Sequence, residues 1–375
     1  MARRSLRRTL VAAHLYLGLL LGGLFALIGL TGSFLVFYPE IHQVIHPELA
    51  INSASIPDIR YQQAFQALRR HYPQRTGTWR IEAPRSGQQP LFARYLKPEE
   101  KDPARFAPLV VALDPSTLEI IYSSFWGDDL VTWIYDLHYS LMLGPAGKLV
   151  VSALGLALFF AVAIGCYLWW PRGRNRLKKS LPKLREGSIK ATYDLHTYSG
   201  AYGSLLLTIL IITGIGLGTP QWISPAIERF SARSATPVIE SAPPATDTVR
   251  ISADMAIASA RQRFPDAVLR WIEAPASATA TYFLRLKQAG EPSDRFPKTY
   301  VWVDQFSGEV LAVRDPMQVS AADTFFDWLH PLHNGEAFGL AGRVAALLTG
   351  LLPAFLFVTG VIRWLQKRRA SNRQH

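Results

Sequence analysis

Four of the nine histidines stand at the ends of long apolar runs. His14 lies in AAHLYLG, His196 in DLHTYSG, His138 in YDLHYS and His333 in WLHPLHNG. An ionisable side chain at such a place points to function, because burying it in hydrocarbon is costly. Spacing sorts the four into pairs. Thr31-Gly32 begins seventeen residues after His14, and Thr213-Gly214 begins seventeen after His196. His138 precedes Lys148 by ten residues, and His333 precedes Arg343 by ten. At helical period His14, Gly18 and Gly22 share a face, as do His196, Gly200 and Ser204. A histidine followed by a strip of small residues leaves room for a flat macrocycle against the helix. Gly165 and Gly360 are expected to widen the same layer.

The chemistry this suggests is axial ligation of haem iron by two histidines on opposed helices of a bundle. His14 and His196 form one pair. His138 pairs with His333 by distance to the following span, or with His330 by the local string, DLH against WLH. Depth in the membrane favours His333. Lys148 and Arg343 then fall together as cations for the haem propionates. The expectation is two b-type haems, one near each membrane face. The competing reading makes the histidines hydrogen-bonded core residues and the glycines contact points for close helix packing.

Other candidates are weaker. His42 and His46 in EIHQVIHP have the i,i+4 spacing of a metal pair, or of side chains flanking the outer haem. Without a counterpart in the second half they read as a solvated helix end. His71 and His375 read as surface residues. Asp136 and Asp327 either orient an imidazole or cap a helix. Cys166 is the one cysteine, so neither an internal disulfide nor a cysteine-held cluster is available. The sequence has no Gly-x-Ser-x-Gly, no His-Glu-x-x-His and no nucleotide-binding glycine loop, so chemistry has to come from a bound cofactor.

The elements that must position these residues follow from charge and hydropathy. The chain has 375 residues, 49% of them hydrophobic, and a net charge of +12. Thr9 to Phe37, Leu149 to Trp170, Leu195 to Trp222 and Val344 to Ile362 contain no Asp, Glu, Lys or Arg. At about 1.5 Å per residue each can cross about 30 Å of hydrocarbon. Spans are expected at 9–37, 148–170, 195–219 and 343–365. The first reads as an uncleaved anchor, being too long for a signal peptide core. Basic residues cluster before the first span, in a link at 171–190 and in a tail at 366–375. That places both termini and the link in the cytoplasm, and the long segments 38–147 and 220–342 outside. Each basic cluster abuts an apolar span, which argues against a nucleic-acid partner. The partner implied is the lipid bilayer.

The outer segments are alike. RIEAP at Arg80 matches WIEAP at Trp271, and Asp114 and Glu119 fall on Asp304 and Glu309. Each reads as a helix followed by short alternating strands. The fold class expected is therefore an integral membrane protein, mainly α. It is a four-transmembrane-helix bundle from a tandem duplication, with parallel repeats and two outer α+β modules.

Several strings carry a family resemblance: LTGSFLVFYPEIHQVIHPEL, LHYSLMLGPAGKLVVSALGL, DLHTYSG, PLHNGEAFGLAGRV and VTGVIRW. Together they resemble the PepSY-associated transmembrane family, over nearly the whole chain, and within it the FoxB-type ferrisiderophore reductases. The resemblance implies haem-bearing helices, periplasmic PepSY-like modules and a bacterial inner-membrane location. It implies His14, His138, His196 and His333 as the membrane-edge ligands, with His330 as an additional candidate. His42 and His46 depart from the family pattern, which more often has Asp and Asn there. The expected function is electron transfer from a quinol or cytoplasmic reductant to a periplasmic ferric siderophore, releasing Fe(II). Rival readings are a metal or siderophore permease and a membrane-anchored PepSY regulatory module. Trp126, Trp133, Arg80 and Arg94 are candidates to line the chelate site.

Overall fold

The structure, a computed structural model, describes residues 2–170, 187–235, 238–242 and 248–372. Most of the basic link at 171–190, and His375, lie outside the described residues. The chain divides into two compact units. One comprises Met1–Phe37, Ile134–Ser224 and Leu329–His375, and the other Tyr38–Trp133 and Pro225–Trp328.

The first unit is helical. Its long helices are α1 (Ala2–Leu35), α5 (Gly144–Trp169), α6 (Ser188–Gly218) and α10 (Gly339–Asn372). All four are long and apolar enough to cross a membrane, over Ser5–Leu35, Gly144–Trp169, Ile189–Gly218 and Glu336–Asn372. α1 packs on α5 and α10, and α6 packs on the same two, so α1 and α6 are diagonal across the bundle. Small residues allow close approach of the helices. A side chain at Gly29 would run into the Gly350 carbonyl, and the Ser33 hydroxyl donates to Leu347 O at 2.8 Å. Two shorter helices, α4 (Leu130–Ser140) and α9 (Ala321–His333), bring His138 and His333 into this unit.

The second unit is built on one eight-stranded antiparallel sheet. Its strands are β1 (Trp79–Glu82), β2 (Leu91–Tyr95), β3 (Leu109–Leu113), β4 (Ile120–Phe125), β5 (Val268–Glu273), β6 (Tyr282–Lys287), β7 (Thr299–Val303) and β8 (Val310–Arg314). The order is β4-β3-β2-β1-β5-β6-β7-β8. Two outer modules were the expectation, and the structure joins them edge to edge. Pairing β1 with β5 removes the edge that each four-stranded half would otherwise expose. In that pairing Ile81 faces Ile272, Arg80 faces Glu273 and Glu82 faces Trp271. The register is thus symmetric about the two isoleucines.

Strand alternation buries Trp79, Ile81, Leu91, Val111, Leu113, Ile272, Leu284 and Val301 in one core. Helices α3 (Tyr61–His71) and α8 (Ala253–Arg263) cover it with Phe65, Leu68, Ala256 and Ile257. Their N-termini cap each other. Asp254 accepts hydrogen bonds from Tyr61 N at 2.9 Å and Gln62 N at 3.2 Å, while Ala253 N donates to the Gln62 amide oxygen at 2.9 Å. Asp114 and Asp304 hold equivalent turns, each accepting from the amides two and three residues on.

Candidate functional site

The structure brings the four histidines together in two facing pairs. His14 and His196 have ring centroids 6.3 Å apart, and His138 and His333 have theirs 6.1 Å apart. His330 Nδ1 lies 3.3 Å from the Asn334 side-chain amide nitrogen, just past the end of α9. The two seats are far apart. Gly32, against which His138 rests, is eighteen residues beyond His14 on α1, about 27 Å along the helix.

Each ring is seated in the same way. His14 Nδ1 lies 3.0 Å from Ala161 O, His138 Nδ1 3.0 Å from Ile28 O and His333 Nδ1 3.0 Å from Leu210 O. Four residues beyond each of these carbonyls is a glycine: Gly165, Gly32 and Gly214. Side chains in a helix tilt toward its N-terminus, so a glycine four residues on uncovers the carbonyl below it. The imidazole occupies that gap. A Cβ would come 3.1 Å from His14 Cε1 at Gly165, 2.7 Å from His138 Cε1 at Gly32 and 3.0 Å from His333 Cε1 at Gly214. His196 is seated at Gly360, with 3.5 Å to its Cε1; its Nδ1 lies 3.0 Å from the Thr359 hydroxyl, and the ring is hydrogen-bonded to the Leu356 backbone.

The Thr-Gly pairs now have a physical account. The Thr31 and Thr213 hydroxyls donate to carbonyls of their own helices, Leu27 O and Ile209 O, both at 2.7 Å. Their oxygens are left to accept, and they lie 3.3 Å and 3.0 Å from the Nδ1 atoms of His138 and His333. A carbonyl only accepts, so each Nδ1 carries its ring's proton and Nε2 keeps the lone pair. That is the tautomer a metal-bound imidazole adopts, its other nitrogen held by a fixed acceptor.

The separations fit one ion between the rings of each pair. Two imidazoles sharing one ion at nitrogen–metal distances near 2.0 Å would have centroids about 6.2 Å apart. A Cβ at Gly18, four residues beyond His14 on α1, would meet nothing within 4 Å. The rest of the anticipated small-residue strip differs. A side chain at Gly22 would strike Phe357, and Gly165 and Gly360 seat imidazoles instead of widening a layer.

Polar neighbours also depart from expectation. Lys148 Nζ lies over the Tyr139 ring at 5.2 Å, whereas Arg343 donates to Val36 O at 2.9 Å with its Cζ 4.2 Å over Phe37. They lie at the starts of α5 and α10 but have dissimilar surroundings. Asp327 does not orient an imidazole. It accepts from Arg314 at 2.9 Å, and among the four paired histidines backbone carbonyls take that role, joined by a threonine hydroxyl at His138, His196 and His333. Arg80 and Arg94 are not spare cations: they pair with Glu273 at 2.6 Å and Glu82 at 3.0 Å. Trp126 is buried beneath Arg94, and Trp133 is exposed. The residue missed in the sequence is Arg363, one turn beyond Gly360, whose positive charge acts on both His14 and His196. His42 and His46 are not a solvated helix end, for Asp129 stands beside them.

This arrangement defines a helical membrane protein with paired histidines at two levels. The sequence matches the family described as PepSY-associated TM region over residues 11–367, and the chain belongs to that family. No curated protein matches it.

Proposed function

We propose that this chain is a dihaem electron-transfer protein of the bacterial inner membrane that reduces a periplasmic ferric siderophore. The observation that carries the reading is the pair of histidine pairs, 6.3 Å and 6.1 Å between centroids, with each Nδ1 committed to an acceptor of the opposite helix wall. His14 with His196 would hold one haem, and His138 with His333 the other. Haem, when bound, supplies reversible one-electron chemistry between Fe(III) and Fe(II). The chain's own residues fix four neutral imidazoles with Nε2 available, and apolar helices exclude water around them.

Two levels about 27 Å apart along α1 suit passage of an electron across most of a bilayer. A quinol or cytoplasmic reductant is the donor at the His14 end, with termini and basic link in the cytoplasm. At the His138 end the acceptor is the ferric chelate. One electron turns its Fe(III) into Fe(II), which hard oxygen donors hold less tightly, so the metal is released for uptake. The chain arose by tandem duplication, which the symmetric order and register of the sheet support, as does the parallel seating of the histidines. In that reading each four-stranded half of the sheet is one PepSY-like module. Lys148, Arg343 and Arg363 would be the cations to pair with propionates, Arg343 turning from Val36 O to do so.

The test is pyridine haemochrome quantification of the purified protein, made with ample haem supply. The expected result is two b-type haems per chain, falling to about one in His14→Ala and in His138→Ala. A preparation without haem would sink the proposal, and a variant that keeps both haems would overturn its ligand assignment.

A further inference from the structure

A second ligand-bearing group lies in the sheet unit, apart from the four histidines. His42 is on α2 (Tyr38–Ile45), His46 follows that helix directly, and Asp129 precedes α4. One donor atom from each of the three lies within 4.8 Å of the others. His42 Nε2 is 3.8 Å from Asp129 Oδ1, too far for a hydrogen bond. The same Nε2 is buried and has no hydrogen-bond partner. A buried, unpaired imidazole nitrogen facing a carboxylate calls for an explanation.

A simple ion pair does not supply it. The 3.8 Å gap leaves Nε2 without a partner, and in the tautomer protonated on Nδ1 it offers a lone pair. Asp129 is fixed for another purpose and, with three of its roughly four lone-pair sites in use, has one left to give. Its Oδ1 accepts from Val131 N at 2.9 Å and Thr132 N at 3.2 Å, and the Thr132 hydroxyl donates to Oδ2. His46 is oriented by Glu48, whose Oε1 lies 3.0 Å from its Nδ1. A carboxylate on the far nitrogen is the usual companion of a metal-bound imidazole. Tyr122 packs edge-on against both rings, at 5.7 Å from His42 and 4.9 Å from His46, and limits their rotation.

We propose that His42, His46 and Asp129 bind one first-row divalent transition-metal ion, with its remaining positions open to water or an exogenous ligand. Two imidazoles and one carboxylate suit zinc or ferrous iron and disfavour calcium or magnesium, which take all-oxygen sets. The site is independent of the haem reading, sharing no residue with it.

Zn(II) titrated calorimetrically into the chelator-stripped full chain in detergent tests this, with Co(II) absorption as the coordination readout. The wild type should bind one Zn(II) that the double variant His42→Gln/His46→Gln binds at least about tenfold more weakly. Asp129→Asn keeps an oxygen for the Val131 and Thr132 amides, so it should fold yet lose affinity similarly. Glu48→Gln should weaken binding less than either. His14→Ala/His138→Ala should leave this ion and its Co(II) spectrum unchanged. The proposal is overturned if the wild type binds no Zn(II) at micromolar concentrations. It is also overturned if the His42/His46 and Asp129 variants match the wild type, or if only His14→Ala/His138→Ala loses the ion.

Discussion

His138 and His333 face each other with ring centroids 6.1 Å apart, and neither is seated by the half of the chain that the other belongs to. His138 rests on Ile28 O and Gly32, and His333 on Leu210 O and Gly214. The same holds at the other level, where His14 rests on Ala161 O and Gly165 while His196 rests on Thr359 and Gly360. Each half therefore builds half of each site and orients it by itself. Only the association of the halves brings the two rings of each pair within 6.3 Å and 6.1 Å of each other.

The choice between neighbouring histidines is directly testable. On the proposed dihaem reading, His333→Ala should remove about one haem, because its ring lies 6.1 Å from that of His138. His330→Ala should keep both, since that ring is engaged with Asn334. Haemochrome stoichiometry of the two variants, expressed in parallel, decides it. Haem loss in His330→Ala with retention in His333→Ala would reverse the assignment.

The glycine seats predict a graded effect of one methyl group. At Gly32 a Cβ would lie 2.7 Å from His138 Cε1, a separation real contacts avoid, whereas at Gly360 it would lie 3.5 Å from His196, an ordinary contact. Gly32→Ala should push the His138 ring off Ile28 O and weaken or abolish ligation at that level. Gly360→Ala should leave the other level nearly unchanged. Electron paramagnetic resonance and redox titration of the two variants are the readout. Equal spectra and potentials in both would mean that the seats do not position the rings.

How far the sequence reveals this arrangement depends on the kind of group involved. The four spans are legible because a run without charge is a property of composition. Histidine pairing is legible through register, since helix rise converts residue spacing into depth. The Nδ1 acceptors are not legible, because Ala161, Ile28 and Leu210 act through backbone carbonyls that no residue type announces. Only the Thr-Gly pairs hint at them. In the register that aligns Gly165 with Gly360, Arg363 falls on Leu168, so the matched spacing is silent about it. The β1–β5 pairing is likewise invisible: strand alternation reads the same whether two modules stand apart or share a sheet. Asp129 lies far from His46 in sequence, and its role as a helix cap conceals a second use.

The reciprocal caps on α3 and α8 should matter for stability. Asp254→Ala leaves the Tyr61 and Gln62 amides without acceptors, and Gln62→Ala does the same for Ala253 N. The first should destabilise the sheet unit by about 2 kcal/mol and the second by about 1 kcal/mol. The double variant should cost less than their sum, because the two caps support one contact. Denaturant titration followed by tryptophan fluorescence, with Trp79 and Trp271 buried in this unit, measures it. Strict additivity would show that the caps act separately.

A pH-dependent term resides in Asp323, which is 4% exposed. Burial alone would raise its carboxyl, but hydrogen bonds from Ser234 and Ser320 outweigh that and hold its pKa below the usual value. The Ser234 hydroxyl donates at 2.6 Å and the Ser320 hydroxyl at 2.8 Å. A depressed folded-state pKa means the folded protein binds the proton less tightly than the unfolded chain does. Its contribution is then complete above the unfolded aspartate value of about 3.9 and is lost as pH falls through the lower folded value. Asp323→Asn should therefore be about 1 to 2 kcal/mol less stable than wild type at pH 7, and the gap should narrow as pH falls below about 3.9. Thermal unfolding of both proteins across that range gives the comparison. A gap that stays constant, or widens on acidification, would show that the carboxylate's charge is not what Ser234 and Ser320 stabilise.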